Sequence, residues 1–145
     1  MDLAKAFDTV PRDLLFKKLR AAGIRGKMYR VIKDLYTNNR ATIKIGEYVS
    51  ESFEIKSGVL QGSKLGPILF NIFINDLLET LNDSGLGVAL ENITVTALGF
   101  ADDIKLIADK PPKLQALIDI CEKWSRQNRV RLTVINVKSL RLTCD

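Results

Sequence analysis

Two aspartates, Asp102 and Asp103, stand side by side in LGFADDIKLIA, residues 98–108, a run that otherwise reads as apolar strand. Adjacent carboxylates repel each other and resist burial. At a hairpin tip such a pair is often no more than two solvated turn residues. Here Phe100 and Ala101 precede it and Ile104 follows, and a site hemmed by strand-like residues tolerates two carboxylates when a divalent ion neutralises them. Magnesium suits that role, since it takes oxygen ligands, commonly one or two carboxylates plus substrate phosphates. A second acidic stretch opens the chain, MDLAKAFDTVP, where Asp2 and Asp8 flank the aromatic Phe7. Between the two lies SGVLQGSKLGP, whose glycines at 58, 62 and 66 mark a loop around Gln61. It lacks the G-x-x-x-x-G-K-[ST] spacing of a Walker A phosphate loop.

Composition narrows the chemistry. There is no histidine among the 145 residues, which removes Ser-His-Asp and Cys-His catalysis and the usual structural zinc sites. What remains is chemistry on carboxylates, lysines or oxygen-bound metals. Two cysteines, Cys121 and Cys144, are too few for a disulfide scaffold and are read as reduced, Cys121 in a core. The net charge of +5 is uneven: residues 1–60 hold 12 Lys+Arg against 7 Asp+Glu, residues 61–110 hold 3 against 7, and residues 111–145 hold 7 against 3. Basic flanks suit a polyanion and an acidic centre suits a divalent cation, although solvated helix faces give the same distribution. No apolar run approaches the roughly 20 residues of a membrane span, and no secretory leader is visible, so an intracellular protein without a membrane partner is expected.

The elements that must position these residues follow from periodicity. Pro11 opens a helix through Leu14, Leu15 and Leu19 that stops at Gly23, and a second helix spans Lys27 to Tyr36 with Met28, Val31, Ile32 and Leu35 on one face. Alternation from Ala41 predicts a hairpin, Ile43 and Ile45 against Phe53 and Ile55, turning near Gly46 to Glu51. After the glycine loop, Pro67 is expected at the first position of a helix that is apolar nearly all round and therefore buried. Strands at 88–90 and 93–98, the aspartate pair at a hairpin reversal, and a strand at 104–108 come next. A helix after Pro111 carries Leu114, Leu117, Ile118, Cys121 and Trp124 on one face, and the tail alternates as a strand pair. This mixed order predicts one α+β domain over residues 1–145.

Three stretches taken together, DLAKAFDTVPRDLLFKKL, SGVLQGSKLGPILFNIFINDL and GFADDIKLIA, closely resemble successive palm motifs of reverse transcriptases, specifically those of retrotransposons lacking long terminal repeats. The resemblance implies an RNA-directed DNA polymerase palm: an antiparallel sheet with helices packed on one face, fingers and thumb lying largely outside this chain in a longer parent. It implies that Asp2, Asp102 and Asp103 hold two magnesium ions, with manganese as the alternative, for transfer of a dNTP onto a primer 3′-hydroxyl. The implied partners are an RNA template, a DNA primer and dNTPs, and the implied place of action is nuclear, although no targeting signal is read.

In the same resemblance Phe7 matches the aromatic under the incoming sugar, where a large ring excludes a 2′-hydroxyl; a core phenylalanine is the plainer reading. Gln61 and Gly62 match the loop that contacts the nucleotide, and Lys138 matches a lysine that protonates pyrophosphate, with one residue fewer than usual between it and Asn136. Leu60 stands where the family usually has proline. Asp8 is expected to cap a helix and not to bind metal. The other function the residues allow is a catalytically inactive relic that acts at most as a nucleic-acid- or protein-binding module through its basic flanks.

Overall fold

The computed structural model describes residues 2–3 and 5–133, and of Asp2 the backbone. The chain runs β1 (Asp2–Leu3), α1 (Ala6–Thr9), α2 (Arg12–Ala21), α3 (Gly26–Tyr36), β2 (Arg40–Ala41), β3 (Lys44–Ile45), β4 (Tyr48–Val49), β5 (Phe53–Glu54), α4 (Leu65–Asp83), β6 (Val88–Leu90), β7 (Ile93–Val95), β8 (Ala97–Phe100), β9 (Asp103–Leu106), α5 (Pro111–Asn128) and β10 (Leu132–Thr133). Helices mixed with small antiparallel sheets make it α+β. Lys138, Cys144 and the second strand expected in the tail lie outside the described residues.

The main sheet is antiparallel, in the order β10-β1-β9-β8. Although β1 has two residues, it is interior: Asp2 pairs with Thr133 on one side and with Asp103 on the other, and Leu3 pairs with Leu132. Leu3 is buried, so the short strand is anchored by its apolar side chain and by ladders along both edges. Helix α4 packs on β8, and α5 on β9 and β10. Their apolar stripes, with Leu69, Phe70, Phe73 and Leu77 from α4 and Leu117 and Cys121 from α5, join Leu15 and Leu19 of α2 in the core.

Two cations, Lys18 half-buried and Arg12 buried, cross-link the helices. Lys18 Nζ donates to Phe73 O at 2.7 Å and Asp76 Oδ1 at 2.8 Å, and Trp124 Nε1 donates to the same Oδ1 at 2.9 Å, so one carboxylate joins α2, α4 and α5. Burial pushes the Lys18 pKa down while Asp76 opposes the shift. Arg12, 8% exposed, donates to the carbonyls of Tyr36 (2.7 Å), Ile55 (2.7 Å) and Gly58 (3.0 Å) and to Asn39 Oδ1 (3.0 Å).

Several expectations change. On α3 the buried residues are Ile32 and Tyr36, whereas Met28, Val31 and Leu35 are 66, 50 and 50% exposed. Tyr36 wins because its ring lies 5.3 Å under Arg12 and its carbonyl serves the same guanidinium, which turns the helix by about one residue step. Pro67 is the third residue of α4, not the first. The first-turn N–H groups lack intrahelical acceptors anyway, so proline fits there too. Ile68 on α4 is 55% exposed, so that helix is not buried all round.

The strand expected over 93–98 splits at the buried Thr96, β7 pairing with β6 and β8 with β9. Glycine at 87 permits the close approach there, since a Cβ on it would lie 2.2 Å from Val95 O. The arm after α3 is a hairpin whose tip turns at Gly46, with β2 paired to β5 and β3 to β4. It ends at Glu54, one residue before the expected Ile55. Among the described residues no helix is long and apolar enough to cross a membrane.

Replacing Arg12 with alanine strips hydrogen bonds from four acceptors, three of them main-chain carbonyls. The expected loss is about 3 kcal/mol of folding free energy, read as a lower urea midpoint with unchanged slope. A loss under roughly 1 kcal/mol would mean that the guanidinium is replaceable by water.

Candidate catalytic site

The β8–β9 hairpin pairs Phe100 directly with Asp103, so the reversal falls on Ala101 and Asp102. The two aspartates are therefore not equivalent: Asp102 is a half-buried turn residue and Asp103 is an exposed strand residue. Ala101 takes φ 54°, the left-handed region that a Cβ makes unfavourable, and this tight reversal sets where both carboxylates leave the sheet. Beyond the tip, Ile104 is buried on the helix-packed face, while Leu98, Phe100, Asp103 and Lys105 are exposed on the other.

Asp2 is the cross-strand partner of Asp103. Directly opposed residues of an antiparallel pair share one face of the sheet. The backbone thus brings residues 2 and 103 together across a hundred positions of sequence, with Asp102 next along the chain. Among the described residues no group of three or more His, Cys, Asp or Glu side chains is placed to hold a metal ion. The donors at this place are nonetheless of one kind. The chain has no histidine, and Cys121 is buried in the core on α5. Carboxylate oxygens alone fit magnesium and not a soft metal.

A second cluster forms where the glycine loop meets α1. Val59 N–H donates to Phe7 O at 2.7 Å, Gly58 N–H to Val10 O at 2.8 Å and Ser57 Oγ to Asp8 O at 3.0 Å. The approach is so close that a Cβ on Gly58 would lie 2.7 Å from Asp8 O, and φ there is +84°. Leu60 N–H donates to the Tyr36 hydroxyl at 3.3 Å. On this frame Gln61 Nε2 donates to Asp8 Oδ1 at 2.7 Å.

Asp8 is consequently not a helix cap. Lys5 precedes α1 and Pro11 precedes α2, and neither helix start carries a side-chain cap bond. Phe7 is half-buried with its ring 4.9 Å from that of Phe70, so it is partly a core residue and partly open. Gln61 and Gly62 are exposed in the turn ahead of α4.

The structure therefore gathers Asp2, Asp102 and Asp103 at the sheet, and Phe7, Asp8 and Gln61 at the loop. Reasoning from the sequence missed Ser57 and Arg12 and gave Asp8 the role of a helix cap in place of its contact with Gln61. Arg12 had a signal: it stands three and seven residues before Leu15 and Leu19, on the buried stripe of α2. The Asp8–Gln61 contact, 53 residues apart, had none.

A family model described as "Reverse transcriptase (RNA-dependent DNA polymerase)" matches residues 1–139. The chain is similar to the Pol polyprotein of type-1 retrotransposable element R2 from Popillia japonica, 35% identical over 111 residues, 76% of this chain and 18% of that protein. It is 34% identical over 119 residues to the Pol polyprotein of type-2 element R2DM from Drosophila melanogaster, 82% of this chain and 11% of the other. The RNA-directed DNA polymerase from mobile element jockey of the same fly is 28% identical over 139 residues, 91% of this chain and 14% of that one. The chain spans less than a fifth of the length of these relatives.

Two glycine changes test the local geometry in opposite directions. Ala101→Gly relieves the left-handed turn and is expected to raise stability by about 0.5–1 kcal/mol. Gly58→Ala is expected to cost about 2 kcal/mol or more and to raise hydrogen exchange at Gly58 and Val59, since the loop must lift off α1. Thermal unfolding of both variants checks the signs.

Proposed function

From the premise that this chain belongs to the reverse transcriptase (RNA-dependent DNA polymerase) family, we propose that it forms the palm of an RNA-directed DNA polymerase. In this reading Asp2, Asp102 and Asp103 hold two magnesium ions, and the chain adds dNTPs to a primer 3′-hydroxyl on an RNA template. The observation that carries the reading is the β1–β9 register, which sets Asp2 opposite Asp103 beside the strained turn of Asp102. When bound, such ions activate the attacking hydroxyl and stabilise the leaving pyrophosphate. The chain's own residues do the rest. The three carboxylates supply hard oxygen donors on a sheet whose interior strand cannot slide without losing both ladders. Gln61 and Gly62 meet the nucleotide from the loop fastened to α1, and the open side of Phe7 limits room beneath the sugar. Lys138 is assigned the proton for the departing pyrophosphate.

A second reading, a nucleic-acid-binding module without catalysis, is favoured by one observation. Residues 17–44 hold nine Lys+Arg and one acid, more positive charge than the whole chain nets. Among the described residues Arg20, Arg25, Lys27, Arg30 and Lys33 have no acidic partner, and Arg20, Arg25, Gly26 and Tyr29 line a groove in which Arg20 lies 4.5 Å over the Tyr29 ring. Such a surface suits a phosphate backbone under either reading.

Primer extension on poly(rA)–oligo(dT) with magnesium separates the two. Extension that falls to background in Asp102→Asn, in Asp103→Asn and on chelation is expected of the polymerase. Tight, salt-sensitive binding of the same duplex by folded protein that never extends it would replace that reading with the second.

A further inference from the structure

We propose that Asp8 is a positioning residue for nucleotide binding: its carboxylate holds the Gln61 side-chain amide in one orientation, and so selects which atoms of that amide an incoming nucleotide meets. The inference rests on the reading of Gln61 as a nucleotide contact and adds a residue to it.

The chemistry of the contact settles its sense. An ionised carboxylate only accepts, so the end of the Gln61 amide 2.7 Å from Asp8 Oδ1 is Nε2. One Nε2 hydrogen is thereby used, and Oε1 with the second hydrogen is left for a ligand. Without Asp8 the amide turns freely and offers donor and acceptor alternately.

The frame separates this role from loop anchoring. The Asp8 carbonyl is already engaged by Ser57 Oγ at 3.0 Å, and the loop backbone is tied to α1 through Gly58 N–H to Val10 O and Val59 N–H to Phe7 O. Those bonds hold Gln61 near Asp8 whatever the side chain at position 8 is. Asp8 and Gln61 are both exposed, where a hydrogen bond adds little to stability, so the contact's effect falls on Gln61 and not on the fold. A glutamine fixed before the ligand arrives loses less rotamer freedom on binding.

The test is binding of a mant-labelled dNTP, with magnesium and a dideoxy-terminated primer on RNA template, to wild type, Asp8→Ala and Asp8→Asn. Asn Oδ1 also accepts from Nε2, so Asp8→Asn is expected to bind within about twofold of wild type, and Asp8→Ala roughly three- to tenfold more weakly. Equal binding by wild type and Asp8→Ala overturns the proposal. So does Asp8→Asn as weak as Asp8→Ala, because the charge and not the acceptor would then matter.

Side-chain amide NMR of the free chain reads the contact without a ligand. Slow internal motion of the Gln61 side-chain NH2 group, read by nitrogen relaxation, is expected in wild type and Asp8→Asn, and fast motion in Asp8→Ala. Equal Gln61 side-chain mobility in all three overturns the proposal even if nucleotide binds, whereas the expected NMR pattern with no nucleotide bound by any form overturns the nucleotide reading of Gln61 and leaves the Asp8 latch standing.

Discussion

A guanidinium taken out of water must find acceptors, and that requirement at Arg12 shapes the half of the molecule that carries the loop. Its acceptors come from segments without a regular ladder of their own: the end of α3, the residue after β5 and the start of the glycine loop. Three irregular stretches are fixed at once by one side chain on the first turn of α2. With Gly58 O held by Arg12 and Gly58 N–H by Val10 O, the loop is gripped from both sides of a single peptide-rich point, and only glycine allows the backbones to come so close. The orientation of α3 follows from the same demand, since Tyr36 must turn inward to lie under the cation. Desolvation pushes the Arg12 pKa down, but a guanidinium starts so high that it stays charged at any ordinary pH.

The carboxylates are held by a different principle. Asp103 and the backbone of Asp2 belong to neighbouring strands, and a register shift of one residue would move either to the other face. The register is fixed by Leu3 and Ile104, each 1% exposed on the side covered by helices. Apolar burial on one face thus specifies the position of acids on the other. The loop carries an adjustable amide fastened by hydrogen bonds, whereas the sheet carries acids whose position follows from packing. Under the proposed polymerase reading, this division suits acids that hold a metal and an amide that meets a nucleotide.

Much of this could be read from residue order. The two long amphipathic helices, the hairpin reversal at the aspartates and the loop around Gln61 announce themselves by periodicity, proline and glycine. What escaped was tertiary. The α3 face was misjudged because Met28, Val31 and Leu35 fit the same helical period as Ile32, and only the cation beside Tyr36 decides between them. The break at Thr96 was missed because Ile93 to Leu98 is a continuous strand pattern whose two halves pair with different partners. The meeting of residues 2 and 103 was implied by resemblance alone, since nothing local in a two-residue strand tells which strand it joins. An aspartate before a helical run usually caps it, which is the role the sequence suggests for Asp8; the loop 53 residues on supplies a better donor.

The face on which Asp103 stands has a further property that bears on its occupant. Leu98 and Phe100 are 54 and 86% exposed there, and Lys105 shares the face. Exposed aromatic and aliphatic surface beside carboxylates is costly in water and is commonly covered by a partner. A purely anionic ligand is repelled by the acids and gains nothing from the Phe100 ring. A nucleic acid end with its nucleotide offers both flat apolar rings, which stack on aromatic side chains, and phosphates, which need a cation between themselves and a carboxylate. The composition of this face, with Leu98 and Phe100 exposed beside Asp103, is consistent with the polymerase reading.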